Sequence, residues 1–468
     1  MAALAFEGFL STPQMLAVFD QAAVIQAMLD FEAALARAQA AEGLLPAAAA
    51  QAIAGVCKAE LYDLPALVQA SGRAGSLAIP LVRKLTETVA LFDADAAGYV
   101  HWGSTSQDVV DTGLVLVTRR ALALIDDDLS RLIGHLLALA RTHAQAPLLG
   151  RTLMQPAQVL SFGFKLLAWI APLVRSQQRL RAAGAQALQL QLGGAVGTLA
   201  VMGEAAAAVS RRVADELQLR LPPGAWHTQR DESASLACEL GVLGGALGKI
   251  AKDISLMAQG EVGELAEPSG AGRGGSSTMP HKRNPVAAMV ALSAALRTPH
   301  RVSALLAAMV QEHERGLGNW QAELAETAGL YISVHGALKA LADATAGLEV
   351  DVPRMRRNID AMQGLVFAEA VAMRLAQQVG KARAHALLET LSHQALATQR
   401  HLRDVTLEAL AGDATLAAAL PAAEIEALFD PAQAARRAVQ VAAPQLAALA
   451  ETAATLSAQA PWSAWRPA

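Results

Sequence analysis

The chain is predicted to be all-α and built on a bundle of long helices, and three observations predict it. Apolar residues recur at alternating steps of four and three along two extended segments. These are Leu236, Leu240, Leu243, Leu247, Ile250, Ile254 and Met257 within 229–262, and Leu122, Ile125, Leu129, Leu132, Leu136 and Leu139 within 113–143. A seam of that period lies along one helix face and packs against a neighbouring rod. Ala is abundant throughout, and Ala is the best helix former. Strand signals are almost absent and no β-α-β alternation appears, which sets aside a doubly wound sheet.

Taken in order, an N-terminal helical part is interrupted between Gly98 and Gly113, after which the 113–143 seam begins. A third long helix is expected to open at Pro156, a residue suited to a first turn, and to run through "AQVLSFGFKLLAWIAPLVRSQQRLRAA". The 229–262 seam follows, and a fourth helix is expected from Val286 through "AAMVALSAALRTPHRVSALLAAMV". The "VDVPRM" stretch near 350–355 reads as the exit from the bundle. Beyond about 361 the pattern is one of short helices, with "LAGDATLAAALPAAE" as a turn-rich break. Three domains are therefore expected, at 1–112, 113–360 and 361–468.

Hydrophobic residues make up 53% of the 468 residues and charged ones 17%, and mean hydropathy is +0.31. Runs such as "LGGAVGTLAVMG" at 192–203 stop short of the roughly 18–20 residues a membrane span needs. A soluble, oligomeric helical protein with extensive buried helix surface is expected instead, not a membrane partner. Net charge is −4 with Lys and Arg scattered, so no basic stripe offers itself to nucleic acid. Cys57 and Cys238 lack ligand spacing, which argues against a disulfide framework or a zinc site and for a reducing cytoplasm. The segment "MAALAFEGFLST" has no basic start and carries Glu7, unlike a signal peptide.

Five stretches are polar where their neighbours are not: "HWGSTSQDVVDTG" (101–113), "GRTLMQPAQ" (150–158), "LGGAVGT" (192–198), "GRGGSSTMPHKRNP" (272–285) and "QEHERGLGNW" (311–320). Each falls at or near the end of a long helical segment, where unpaired N–H groups and the helix dipole favour anions. "STSQD" also reads as a plain set of helix caps. "GAGRGG" fits G-x-G-x-x-G but follows no buried strand, and no phosphate-loop Lys-Ser/Thr sits at the required spacing. His281 has no partner at metal-ligand spacing and reads as a surface histidine. The 272–285 loop is the stretch that structure alone explains least. Its glycines suit ordering over a ligand. Ser276 or Ser277 can carry a proton if the alkoxide is stabilised, and Lys282, Asn284 and loop N–H groups are suitable neighbours.

Gly275 to Asn284 match G-S-S-x-M-P-x-K-x-N at every fixed position, the signature of the fumarase/aspartase superfamily. "GSTSQD" is similar to that superfamily's first signature region, "GRTLMQ" to its second and "HERGLGNW" to a substrate-binding arginine segment. The resemblance implies a mostly helical, three-domain subunit in a homotetramer whose active sites each draw on three chains. It implies no metal and no organic cofactor. The shared chemistry is proton removal beside a carboxylate, giving an aci-carboxylate, with a leaving group lost from the next carbon. By the same resemblance Ser276 is the base, with Lys282 and Asn284 holding the carboxylate. Thr105, Ser106, Gln155 and Arg315 are further candidate carboxylate contacts, and so are His101 and Arg273, while Ser277 and Met279 are candidate substrate-binding residues.

One departure narrows the reaction. Members that expel an amine or hydroxide carry T-H-x-Q in the second region, whereas this chain has Thr152-Leu153-Met154-Gln155. A second histidine expected near "SGRAGSLAIPLVRKL" is also absent. Amines and hydroxide leave badly without a proton, but a carboxylate, with a conjugate acid of pKa about 4, leaves unassisted. A reaction in which the substrate's own carboxylate attacks or leaves would not need the histidine. "AGSLAIPLVRKLT", "HWGSTSQDVVDTGLVL" and "GGSSTMPHKRNP" resemble the lactone-forming cycloisomerase branch of the superfamily, and that resemblance implies cyclisation of a tricarboxylate by its own carboxylate. An eliminating lyase acting on a succinate derivative, or a structural relative without activity, are the alternatives.

Overall fold

The computed structural model describes residues 5–467 except 271–273, 276–278 and 280. Six long helices position the site: α1 (Gln21–Ala41), α2 (Ser106–Thr142), α3 (Phe162–Ala187), α4 (Asp231–Met257), α5 (Val286–Ala307) and α6 (Asn319–Thr345). α4 packs on α3, α5 and α6, while α2 packs on α1, α3 and α6. All seven seam residues of α4 are buried, as are those of α2 except the half-buried Leu139. The expected bundle is present, and α5 starts at Val286 as read from the sequence. α1 crosses α2 closely at Gly113, where a Cβ would come within 2.9 Å of the Met28 side chain.

Several boundaries differ from expectation. α2 begins at Ser106, seven residues before Gly113, because the polar "SQDVVDT" stretch is helix with its acids turned inward. No helix opens at Pro156. Gln155–Ser161 is a strand, β2, paired antiparallel with β1 (Pro147–Thr152), and α3 starts only at Phe162, capped by Ser161. α4 is long and apolar enough to cross a membrane by length and composition, which the reading of shorter runs overlooked, but its seam faces the bundle. The C-terminal part is not uniformly short-helical. Pro431–Ser457 is a 27-residue helix docked on α3, and Trp462 in the tail is buried.

Two apolar clusters form. The larger runs through the N-terminal helices and the bundle; the smaller gathers Val371, Leu375, Leu388, Leu391, Leu402 and Val405 with Leu149 and Val159 of the hairpin. A short antiparallel pair, β3 (Leu265–Ala266) and β4 (Glu349–Val350), ties the exit of α4 to the exit of α6.

Candidate active site

The first turns of α2 carry two carboxylates three residues apart, Asp108 and Asp111, both fully buried. A buried carboxylate is costly unless donors surround it. Asp108 accepts from Gly193 N at 3.0 Å, Gly194 N at 2.9 Å and Thr105 N at 3.0 Å, and meets His227 Nε2 at 2.7 Å. Asp111 accepts from Arg230 at 2.8 and 3.2 Å, from Trp320 Nε1 at 2.9 Å and from Gln107 Nε2 at 3.2 Å. Arg230 also bonds Glu323 and lies 4.5 Å over the Trp226 ring. Burial holds the Glu323 carboxyl above its usual range even though Arg230 pulls it down. The "LGGAVGT" loop, the 224–230 segment and the start of α6 are thereby tied to one end of α2.

On the outer side of that hub stands Arg315. Its Nη1 donates to Thr105 Oγ1 at 2.7 Å, its Nη2 to Ser106 Oγ at 3.2 Å and its Nε to Gln107 Oε1 at 3.3 Å. All three acceptors are neutral, and Arg315 has no ion pair among the described residues. The loop holding it is shaped by Glu312, whose carboxylate accepts Leu317 N at 2.9 Å, and by Asn319, which donates to Val310 O at 2.8 Å. A half-buried guanidinium (Arg315) at the N-terminus of a 37-residue helix, without a carboxylate partner among the described residues, is suited to binding an anion.

Five residues earlier than Ser106, His101 adopts a left-handed backbone, φ 59°, and its Nδ1 lies 2.6 Å from Glu32 Oε1 on α1. Burial lowers the tendency of His101 to hold a proton. The Glu32 carboxylate, by charge and hydrogen bond, more than reverses this, with Asp108 adding to it, so the pKa stands above the ordinary histidine value.

The hairpin presents a different surface. Thr152 pairs with Gln155, so Leu153 and Met154 form a two-residue turn, with φ of 48° and 68°. Such turns favour Asn-Gly, yet here they carry apolar side chains 97% and 68% exposed. The hairpin base is held by Arg151, which forks onto the fully buried Glu264 at 2.8 and 3.0 Å. Gln155 is exposed beside this tip.

The signature loop leaves β3 and returns to α5. Arg273, Ser276 and Ser277 lie outside the described residues. Its two arms join where Asn284 N donates to Gly274 O at 2.9 Å and Gly275 bridges Arg283. Arg283 forks onto Glu349 at 2.7 and 3.0 Å, and the Glu267 carboxylate accepts Ala287 N and Ala288 N at the start of α5. Lys282, whose N–H donates to Met279 O at 3.0 Å, and Asn284 line a cavity of about 870 Å³. Met279 and His281 are exposed.

Within one chain the sequence-derived candidates thus form separate groups. Thr105, Ser106 and Arg315 are brought into contact, with His101 in the same turn-rich approach to α2. Lys282 and Asn284 share the loop cavity, and Gln155 stands at the hairpin tip. No hydrogen bond or ion pair among the described residues joins one group to another. Sequence reasoning missed Glu32, Gln107, Asp108, Asp111, His227, Arg230 and Glu323. The available signal was an Asp-x-x-Asp spacing inside "SQDVVDTG", three residues apart on one helix face.

A family model described as lyase matches residues 9–299, and one described as adenylosuccinate lyase C-terminus matches 364–443. The 3-carboxy-cis,cis-muconate cycloisomerase of Bradyrhizobium diazoefficiens is 50% identical over 422 residues, 90% of this chain and 93% of that protein. The chain belongs to the fumarase/aspartase-type lyase family. The crystal structure of 3-carboxy-cis,cis-muconate lactonizing enzyme from Pseudomonas putida superposes with a TM-score of 0.90 at 45% identity. It covers 97% of this chain and 100% of that one. Nitrosuccinate lyase of Streptomyces davaonensis is 42% identical over 444 residues, 92% of each chain. The all-α architecture expected from the seams is that of this lyase family.

Proposed function

We propose that this lyase-family member is a 3-carboxy-cis,cis-muconate cycloisomerase, interconverting that tricarboxylate and a carboxymuconolactone in protocatechuate breakdown by the β-ketoadipate route. The observation that carries the reading is Arg315, a cation that meets only neutral oxygens among the described residues, at a helix N-terminus. It is paired with a hairpin tip that offers Leu153 where proton-donating members offer histidine. The substrate supplies its own nucleophile. One carboxylate oxygen bonds to the distal carbon of a C=C bond, the π electrons pass to the adjacent carbon and its carboxylate, and that carbon then takes a proton.

Ser276 delivers the proton in this reading, with Lys282 and Asn284 holding the aci-carboxylate as its charge develops. Thr105, Ser106, Arg315 and Gln155 orient the remaining carboxylates, and His101, Arg273, Ser277 and Met279 complete the surroundings. Because these groups stand apart in one chain, the site is completed by neighbouring subunits of a homotetramer. The exposed apolar residues Met289, Leu296 and Val310, on and just beyond α5, support such an assembly.

The test is to supply 3-carboxy-cis,cis-muconate, follow loss of its ultraviolet absorbance and identify the product by NMR. Lactone formation is expected. The similarity to nitrosuccinate lyase favours one second reading, elimination of a good leaving group from a succinate derivative. Fumarate release from nitrosuccinate, with no turnover of the muconate, would replace the first reading by the second. Ser276→Ala is expected to abolish turnover while leaving the assembly intact.

A further inference from the structure

The approach to α2 contains a charge pair, Glu32 and His101, of which the proposed chemistry has used only the histidine. α1 sends two buried side chains two turns apart to the 101–104 turn. Glu32 reaches His101 Nδ1, and Gln39 Nε2 donates to Trp102 O at 2.7 Å. The turn is further closed by Ser104 N donating to His101 O at 3.3 Å. A histidine at φ 59° is held there against its backbone preference, and that strain is localised at an otherwise well-bonded point. Glu32 is 1% exposed, and its Oε2 has no partner among the described residues, so His101 is what compensates the carboxylate. With Nδ1 committed, Nε2 on the opposite edge of the ring has no partner among the described residues, and the side chain is 18% exposed.

We propose that Glu32 is a positioning residue that keeps His101 as an imidazolium, so that His101 Nε2 presents one switchable positive charge to a carboxylate of the substrate. This rests on the reading of the site as a tricarboxylate site. Arg315 and the α2 N-terminus supply permanent positive potential, whereas the His101 charge depends on a proton. The groups facing the imidazole are Glu32 from α1 and Asp108 from α2. The 199–205 segment packed on Gly103 brings Val201 and Met202 toward this turn, and neither titrates. Both titratable neighbours are acids, so both favour the charged ring. Affinity for the trianion is full at low pH and falls as pH rises through the elevated His101 pKa.

The experiment uses the assembled protein with ¹³Cε1-labelled histidine, the His101 resonance being assigned by its loss in His101→Gln. In the unsubstituted protein that resonance should titrate above the ordinary value of about 6.5, and in Glu32→Gln its midpoint should fall by about one unit or more. In parallel, the alkaline limb of kcat/KM for 3-carboxy-cis,cis-muconate should move down with it through KM, while kcat changes less than about threefold. A His101 resonance that titrates at or below the ordinary value of about 6.5 in the unsubstituted protein overturns the proposal without any variant. An alkaline limb that stays in place in Glu32→Gln while the resonance moves overturns the switch. Absence of muconate turnover in the unsubstituted protein would instead count against the functional reading, and the NMR arm would still decide the charge pair.

Discussion

Arg315 Nη1 and Thr105 Oγ1, 210 residues apart in the chain, meet at 2.7 Å. The contact joins the loop before α6 to the N-terminus of α2, and it uses a fork geometry that a lysine cannot reproduce. Arg315→Lys keeps the charge and loses the two parallel bonds to Thr105 and Ser106. In the proposed site the guanidinium so placed meets a substrate carboxylate, a charge-assisted bond of about 1.5–3 kcal/mol that the shorter ammonium does not reproduce, so kcat/KM should fall roughly 10- to 100-fold. Steady-state kinetics with a thermal melt checks this, and the melting temperature should hardly move because the side chain is only half-buried.

Asp111 has the opposite role. It is buried and compensates Arg230, while also bonding Trp320 and Gln107. Without Asp111, Arg230 keeps only Glu323 as a charge partner and Trp320 Nε1 and Gln107 Nε2 lose a buried acceptor, so Asp111→Ala should lower stability by about 2–4 kcal/mol. The midpoint of urea unfolding reads this directly. Asp111→Asn, which keeps the acceptor oxygen, should cost less.

The Leu153-Met154 turn separates stability from activity. Two residues with positive φ each store about 1 kcal/mol or more. Replacing the pair with Asn-Gly should therefore raise the melting temperature if the hairpin is only structural. Under the shared-site reading, the same substitution should lower kcat/KM, because the exposed tip is a substrate contact for another subunit. Leu153→His should give no gain in turnover, since a carboxylate nucleophile needs no acid.

Asp128 provides a test at acid pH. It binds His335 Nε2 at 3.0 Å, and Thr12 meets the other ring nitrogen at 3.0 Å. Burial pushes the Asp128 carboxyl up, but the bond and charge of His335, with Lys339 and Arg131, bring it below the usual range. Its stabilising contribution is full above about pH 4 and is lost as pH falls through the lowered folded value. The difference in melting temperature between the protein and Asp128→Asn should therefore shrink on acidification below that point.

What was legible in the sequence was what local periodicity encodes. Leu236 through Met257 advertise a buried helix face, and Val286 marks a helix start because Pro285 and the polar loop precede it. The hairpin was not legible. Gln155–Ser161 is a strand through pairing with Pro147–Thr152, and Pro156 is as acceptable at a strand end as at a first turn. "STSQD" was legible as a set of caps, and Asp108 does accept Thr105 N in that way. The same residues also meet Arg315, a contact from far along the chain that no local pattern announces. Glu32 was hidden more completely. It sits in the alanine-rich helix α1, and only the folded structure shows that His101 stands opposite.

The Asp108–Asp111 pair has a consequence for how this protein can change over time. Each carboxylate gathers a different set of segments, and their angular offset on α2 is set by the three-residue spacing. Inserting or deleting one residue between them would swing one acid by about 100° relative to the other, out of reach of its donors. The first turns of α2 are thus frozen in length, open to replacement of side chains but closed to insertion or deletion. Variation in length has to enter elsewhere, and the tip of the hairpin, two exposed residues above an anchored base, is the natural place for it.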